Sequence, residues 1–223
     1  MTSDTLGKNE IEIKLQLGSF TNYLRLLGAL GPLDGERQQL NAFFDTPNRT
    51  LALNGWALRV RIESSIADRQ IHQTTSFVTL KSLPADASMT VVRQEIESEI
   101  DYTVGKSIVN GEKSILSLLA DPVRTISRMF KLDSLIKIVE FSNTRLEKKY
   151  MIDGHEYLLE IDKTEYDDHS CDYELEIEIE STEESKPIIM TLEKLFRSHG
   201  IPFEHQVESK LVRALAKSGM LPS

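Results

Sequence analysis

Apolar and polar residues alternate with a period of two along much of the chain, the spacing of a β-strand whose two faces differ chemically. Residues 10–17 read Glu-Ile-Glu-Ile-Lys-Leu-Gln-Leu, with every even position polar and every odd one aliphatic. Residues 58–62 repeat the arrangement with Arg59 and Arg61, and residues 77–81 set Lys81 opposite Val78 and Leu80. Residues 92–97 gather Arg93, Glu95 and Glu97 on one side, and residues 144–149 do the same for Arg145, Glu147 and Lys149. Glu160 and Asp162 share a face in residues 158–162, and residues 174–180 place Glu174, Glu176, Glu178 and Glu180 together. Helices are fewer. Ser19 can cap one carrying Phe20, Leu24, Leu27 and Leu30, stopped near Gly31. Asp121 followed by Pro122 opens a second over residues 123–131. Pro187 opens a third, with Ile188, Leu192, Leu195 and Phe196 on one face and Gly200 as its stop, and residues 206–218 form a last amphipathic helix. Residues 69–76, within the polar run 64–76, and the stretch 81–88, with Pro84, read as loops. Residues 1–9 read as a flexible leader, and residues 10–223 as a single domain.

Two strand-rich halves with interspersed helices predict the α+β class. Two architectures accommodate the charged faces. One is an open sheet with a wet face and a buried face. The other is a closed or nearly closed barrel, apolar outside beneath helices and charged within. Glu is a poor strand former, and two like charges about 4 Å apart in partly protein surroundings cost up to ~4 kcal/mol. An open surface has little reason to stack them at both ends of the chain, so the pattern favours the barrel. Carboxylates of the first and last strands would then form one wall and cationic strands the opposite one.

Composition narrows the chemistry. The chain has 223 residues, with 26 Lys+Arg against 35 Asp+Glu and a net charge of −9. That argues against coating nucleic acid, which needs a basic surface. A single cysteine, Cys171, excludes an internal disulfide. With no apolar run near the length of a membrane span, a cytoplasmic protein without membrane contact is expected. Oxygen ligands without a His or Cys cluster point to a hard cation, Mg2+ or Mn2+. The candidate metal ligands are Glu10, Glu12, Glu174 and Glu176, with Asp162 and Glu178 behind them. Lys14, Arg59, Arg61, Lys81, Arg93, Arg145 and Lys210 form a candidate anion wall, enough for a chain of phosphates. No glycine-rich phosphate loop is present, so side chains must bind the anion. The five histidines (His72, His155, His169, His199, His205) are expected in loops or at helix ends, and Cys171 in a turn. Trp56 shares the parity of Leu58 and Val60 and is expected to pack beneath a helix.

The residues resemble the CYTH superfamily, the triphosphate tunnel metalloenzymes. Glu10-Ile11-Glu12-Ile13-Lys14 matches its Glu-x-Glu-x-Lys signature. Phe43-Phe44-Asp45-Thr46-Pro47, Leu58-Arg59-Val60-Arg61, Leu80-Lys81 and Arg93-Gln94-Glu95 follow in order. Asn143-Thr144-Arg145, Leu159-Glu160-Ile161-Asp162, Tyr173-Glu174-Leu175-Glu176 and Ser209-Lys210 complete the series over nearly the whole chain. The plant-type inorganic triphosphatases look most similar. The resemblance implies a closed eight-stranded antiparallel tunnel, Mg2+ or Mn2+, and a small-molecule triphosphate. It implies metal ligands at Glu10, Glu12, Glu174 and Glu176, with Asp162 near the metal. Phosphates would lie along Lys14, Arg59, Arg61, Lys81, Arg93, Arg145 and Lys210, with Glu12, Lys14, Glu174 and Glu176 nearest the chemistry and Glu95 pairing with the cations. Four alternating Glu leave the register of the last acidic strand open, Glu176 and Glu178 being the other choice. The expected activity is hydrolysis of inorganic tripolyphosphate to pyrophosphate and phosphate by a monomer. The alternatives are thiamine triphosphatase, class IV adenylate cyclase, RNA triphosphatase and a non-catalytic polyphosphate-binding sensor. Carboxylate-to-amide changes at Glu174 or Glu176 are expected to relieve repulsion and stabilise the metal-free fold.

Overall fold

The computed structural model describes residues 7–83 and 90–220. The alternating segments become strands, in order β1 (Lys8–Gln16), β2 (Gly35–Asp45), β3 (Trp56–Ala67), β4 (Gln70–Ser82) and β5 (Thr90–Ile100), then β6 (Ile136–Ile152), β7 (His155–Glu165), β8 (Cys171–Ile179) and a two-residue β9 (Glu204–His205). Their order in the sheet is β5-β4-β3-β2-β6-β7-β8-β1, and β1 also pairs with β5, so eight strands close on themselves. Every pairing is antiparallel. β9 lies outside the ring, against Leu15 and Gln16. Closure leaves one face of each strand pointing inward, and that face is the charged one.

The outward aliphatic faces lie under helices. Ile13, Leu15, Leu175 and Ile177 are buried with Tyr23, Leu26 and Leu30 of α1 (Phe20–Leu30) and with Ile188, Leu192 and Phe196 of α5 (Ser185–Ser198). Leu58, Val60, Val78 and Leu80 are buried with Ile108 and Val109 of α3 (Tyr102–Val109) and Val123 and Ile126 of α4 (Asp121–Met129). Gly105 lets α3 settle on β4, since a Cβ there would lie 2.7 Å from the Ser76 Oγ. α2 (Thr50–Leu53) is a single turn whose Leu51 and Ala52 amides donate to the buried Asp45 carboxylate. A third cluster behaves differently. Leu211, Ala214 and Leu215 of α6 (Lys210–Lys217) pack with Phe43 and Phe141, which face the lumen. α6 therefore seals part of the interior instead of covering the exterior.

Several local expectations are corrected. The expected loop 69–76 is the start of a strand, and the polar run 64–76 a hairpin: β3 and β4 continue to Ala67 and from Gln70, turning through Asp68 and Arg69 with φ of 51° and 63°. The left-handed pair is the turn that matches strand twist, and Ser64–Thr74 hydroxyl pairing at 2.8 Å supplies what the missing apolar alternation does not. β2 escapes the periodicity because Phe43 occupies the inward parity of Arg37, Gln39 and Asn41. α1 follows its expected bounds, with Ser19 accepting from the Asn22 amide and Gly31 ending it, but Phe20 and Leu24 are half exposed and Tyr23 and Leu26 are buried instead. α4 starts at Asp121 itself, after Ala120. α5 begins at Ser185, two residues before Pro187. α6 is shorter than residues 206–218, beginning after its Ser209 cap. α3 was not expected; Asp101 caps it by accepting from the Thr103 and Val104 amides. His72, His155 and His205 lie in strands, and Cys171 opens β8 instead of sitting in a turn. Lys8 and Asn9, expected in the leader, belong to β1, as Lys81 and Ser82 belong to β4; residues 1–6 and 84–88 lie outside the described residues. Among the described residues no helix is long and apolar enough to cross a membrane.

Val60 is fully buried on the outer face. Val60→Asp puts an unpaired carboxylate into that layer and should cost at least ~3 kcal/mol. Urea denaturation followed by circular dichroism checks this; unchanged stability would place Val60 on the wrong side of the wall.

Candidate active site

The inward faces enclose a cavity of about 1240 Å3. Glu10, Glu12, Lys14, Arg59, Arg61, Lys81, Arg93, Arg145, Glu176 and Lys210 all line it. Each predicted strand cation thus points inward, as the period-two reading requires, and Lys210 borders the cavity from α6. The expected segregation into an acidic and a basic wall does not occur. Carboxylates and cations interleave, because a low-dielectric interior penalises any unmatched charge.

Beside the cavity, at the start of α6, lies a buried cluster of which Glu176 and Lys210 border the open space and Asp162 and Glu174 lie behind it. Asp162 of β7 and Glu174 and Glu176 of β8 are buried, and an oxygen from each lies within 4.8 Å of the others. Arg145 binds Asp162 with two prongs, Nε to Oδ1 at 2.9 Å and Nη2 to Oδ2 at 2.7 Å, and reaches Glu176 and Glu160 at 2.5 Å each. Lys14 donates to Glu176 at 2.6 Å and lies 3.3 Å from Glu12. Lys210 donates to Glu176 at 3.0 Å, sits 2.8 Å from Asp162 and contacts Glu174. Arg213, one turn further along α6, donates to Glu174 at 2.7 Å. Burial by itself would raise the Glu176 carboxyl, but Lys14, Lys210 and Arg145 hold it well below its ordinary 4.5. Asp162 is likewise held down by Arg145 and Lys210 against burial. Glu160 goes the other way, because burial outweighs its contact with Arg145.

Elsewhere in the lumen, Glu10 is gripped by Lys81 at 2.9 Å and by the Arg93 Nε at 2.7 Å. These two cations overcome burial and depress its pKa. Arg93 also contacts Glu12, and Lys81 lies 3.0 Å from Glu95. Arg59 and Arg61 extend toward Glu97, at 3.7 and 3.2 Å. The Nε–H of each arginine is buried and has no hydrogen-bond partner among the described residues. Burial, reinforced by the adjacent Arg61, pulls the Arg59 pKa down to about 10, so its charge at neutral pH is under-compensated.

Sequence reasoning missed a supporting network. Thr164 donates to Asn143 at 2.9 Å, Asn143 to Gln39 at 3.0 Å, and Gln39 to Glu63 at 2.7 Å. Glu63 also receives Arg37 at 2.7 Å and stands 3.9 Å from the Arg61 Nε. The signal available was parity: Glu63 continues Arg59 and Arg61 two residues on, and Arg37, Gln39 and Asn41 share one face of β2. Arg213 carried no periodic strand signal, as it belongs to a helix. Trp56 packs against the outer layer as expected yet also borders the cavity, with Arg124, Arg128 and Met129 of α4.

The donor set suits a hard divalent cation. Asp162, Glu174 and Glu176 offer only oxygens, close enough to share one ion. Glu12 is linked to this trio through Lys14, whereas Glu10 sits on Lys81 and Arg93. Glu178 is exposed and pairs with Lys8 at 2.7 Å, so the register places Glu174 and Glu176 in the trio.

The CYTH domain family matches residues 8–209. Among solved structures, an adenylyl cyclase candidate from Hippeastrum, described as having a dominant triphosphatase activity, is 30% identical with a TM-score of 0.78, covering 96% of this chain and 97% of that one. A candidate adenylate cyclase from Bacillus halodurans is 23% identical with a TM-score of 0.64 over 92% of this chain and 97% of its own, a likeness of fold. The PH1819 protein of Pyrococcus horikoshii has the same fold at 19% identity and a TM-score of 0.59, covering 92% and 99% of the two chains. No curated protein matches this chain.

Two measurements test this geometry. Because cations surround Glu176, Glu176→Gln should destabilise the metal-free protein by about 3 kcal/mol or more, the reverse of the relief expected from carboxylate repulsion. Chemical denaturation in a chelator reads the sign. Arg37, Arg61 and Gln39 outweigh burial and lower the Glu63 pKa below 4.5. The stability this contributes is complete above that value and is lost as pH falls through the folded-state value. Glu63→Gln should therefore flatten part of the acid limb of a melting-temperature profile.

Proposed function

The chain belongs to the CYTH domain family, and we propose that it hydrolyses inorganic tripolyphosphate to pyrophosphate and phosphate with Mg2+ or Mn2+. The observation that carries the reading is the pair of buried Nε–H groups of Arg59 and Arg61 on the cavity wall, neither of them hydrogen-bonded among the described residues. They are donors that an acceptor can meet in a space of about 1240 Å3, large enough for several linked phosphates. Guanidinium groups match phosphate oxygens with two prongs.

In this reading Asp162, Glu174 and Glu176 hold the ion, with Glu12 the next donor. A bound divalent ion would lower the pKa of water and draw charge from a phosphoryl oxygen. Arg59, Arg61, Lys81 and Arg93 hold the polyanion, while Lys14, Arg145 and Lys210 face it from the trio and neutralise charge developing on the departing phosphate. Glu10 and Glu95 keep Lys81 and Arg93 extended until substrate competes for them. Interleaved ion pairs help here, since cations already poised on carboxylates need little reorganisation. The substrate is a small molecule, and the protein acts as a monomer with one functional domain spanning residues 10–223. A cytoplasmic location fits such a substrate.

A triphosphate with an organic group is the second reading, since Trp56 and Met129 border the cavity and offer an apolar contact. Phosphate release from tripolyphosphate, ATP and thiamine triphosphate with Mg2+ or Mn2+ separates the two. Tripolyphosphate should be turned over fastest, and chelation should stop the reaction. Equal inactivity on all three would sink the enzyme reading and leave a polyphosphate-binding protein. Arg59→Ala should raise KM roughly tenfold, the loss of about one charge-assisted hydrogen bond; unchanged kinetics would remove β3 from the substrate path.

A further inference from the structure

The carboxylate trio is already saturated with positive charge. Asp162, Glu174 and Glu176 face Lys14, Arg145, Lys210 and Arg213. These cations already occupy the trio's oxygens at contact distance, so a divalent ion taking the same oxygens would stand against one of them, a like-charge contact that burial makes costly. One cation must give way, and their other attachments distinguish them. Arg145 is also fixed to Glu160, and Lys14 is shared with Glu12. Arg213 is pinned by the Tyr166 hydroxyl at 3.1 Å, the Glu208 carbonyl at 2.7 Å and Asp172 at 2.8 Å. Lys210 is different. Among the described residues, the ion pairs of its ammonium are with Asp162, Glu174 and Glu176 alone, one contact to each.

Its position in α6 makes the same point. Lys210 is the first residue after the Ser209 cap, and a cation at a helix N-terminus opposes the helix dipole. Neither the helix nor its cap benefits from a lysine there, so the carboxylates are what hold the ammonium. Burial works against its charge, and Asp162, Glu174 and Glu176 restore it.

We propose that the Lys210 ammonium is a built-in stand-in for the divalent cation, occupying the centre of the trio in the metal-free protein and leaving it when the ion enters. The inference rests on the trio being the ion site of the proposed function. Released, Lys210 remains on the cavity wall, where its charge becomes available to a phosphate. Ion loading therefore converts an internal counter-ion into a substrate-binding cation, and the metal-free protein keeps its buried carboxylates neutralised.

Calorimetric titration with MnCl2, without any phosphate compound, tests this on the wild type and on Lys210→Met. The variant should bind Mn2+ at least tenfold more tightly. Equal or weaker binding by the variant overturns the inference while leaving the ion site intact. No binding by either protein overturns both. A measurement on the unaltered chain guards against misfolding of the variant: acetylation of Lys210 by an amine-reactive reagent, read by mass spectrometry. Labelling of Lys210 should rise severalfold when Mg2+ is added, and unchanged or reduced labelling overturns the proposal.

Discussion

Charge matching inside a closed wall is the constraint on which this molecule depends. Eight strands joined edge to edge leave no sheet margin in the ring, so every inward side chain must find its partner across the lumen or along a neighbouring strand. Lys14 between Glu12 and Glu176, Arg145 between Asp162, Glu160 and Glu176, and Lys81 between Glu10 and Glu95 are three instances of one solution. Each cation serves at least two carboxylates on different strands, so the ion pairs also fix how the strands face one another. Buried pairs of this kind contribute little net stability compared with apolar packing. Their value here is that they keep the enclosed space lined with ionised groups.

Stability comes from the other side of the wall. Two apolar layers, one beneath α1 and α5 and the other beneath α3 and α4, bury the outward aliphatic residues almost completely. The outside of the barrel is thus the hydrophobic core, and the inside is free to be polar. α6 breaks that division, because Phe43 and Phe141 occupy inward positions and give it an apolar seat within the lumen. The seat carries Lys210 and Arg213 to the buried carboxylates of β7 and β8. A short C-terminal helix thereby becomes part of the site's wall.

Much of this was legible in the chain. The alternation in residues 10–17 and 174–180 announced β1 and β8 together with their faces, and the parity of Arg59, Arg61, Lys81, Arg93 and Arg145 was enough to turn each inward. β2 was harder, because an inward Phe43 broke the alternation. The hairpin at Asp68 and Arg69 was hidden by its uniformly polar composition, since strand pairing there relies on backbone and hydroxyl bonds. Arg37, Glu63 and Arg213 were overlooked because their importance lies in what stands opposite them.

Side-chain periodicity is a local property, fixed by backbone pleat and twist, so the sequence by itself determined which residues share a face and that one face is charged. Which carboxylate meets which cation is a matter of register and closure between strands far apart in the chain. Only the tertiary structure decided that acids and bases interleave instead of forming opposed walls. It alone decided that Asp162 joins Glu174 and Glu176 while Glu10 turns to Lys81 and Arg93. The physical reason is that burial raises the cost of every unmatched charge, and the match is settled by distances across the lumen that no run of residues encodes.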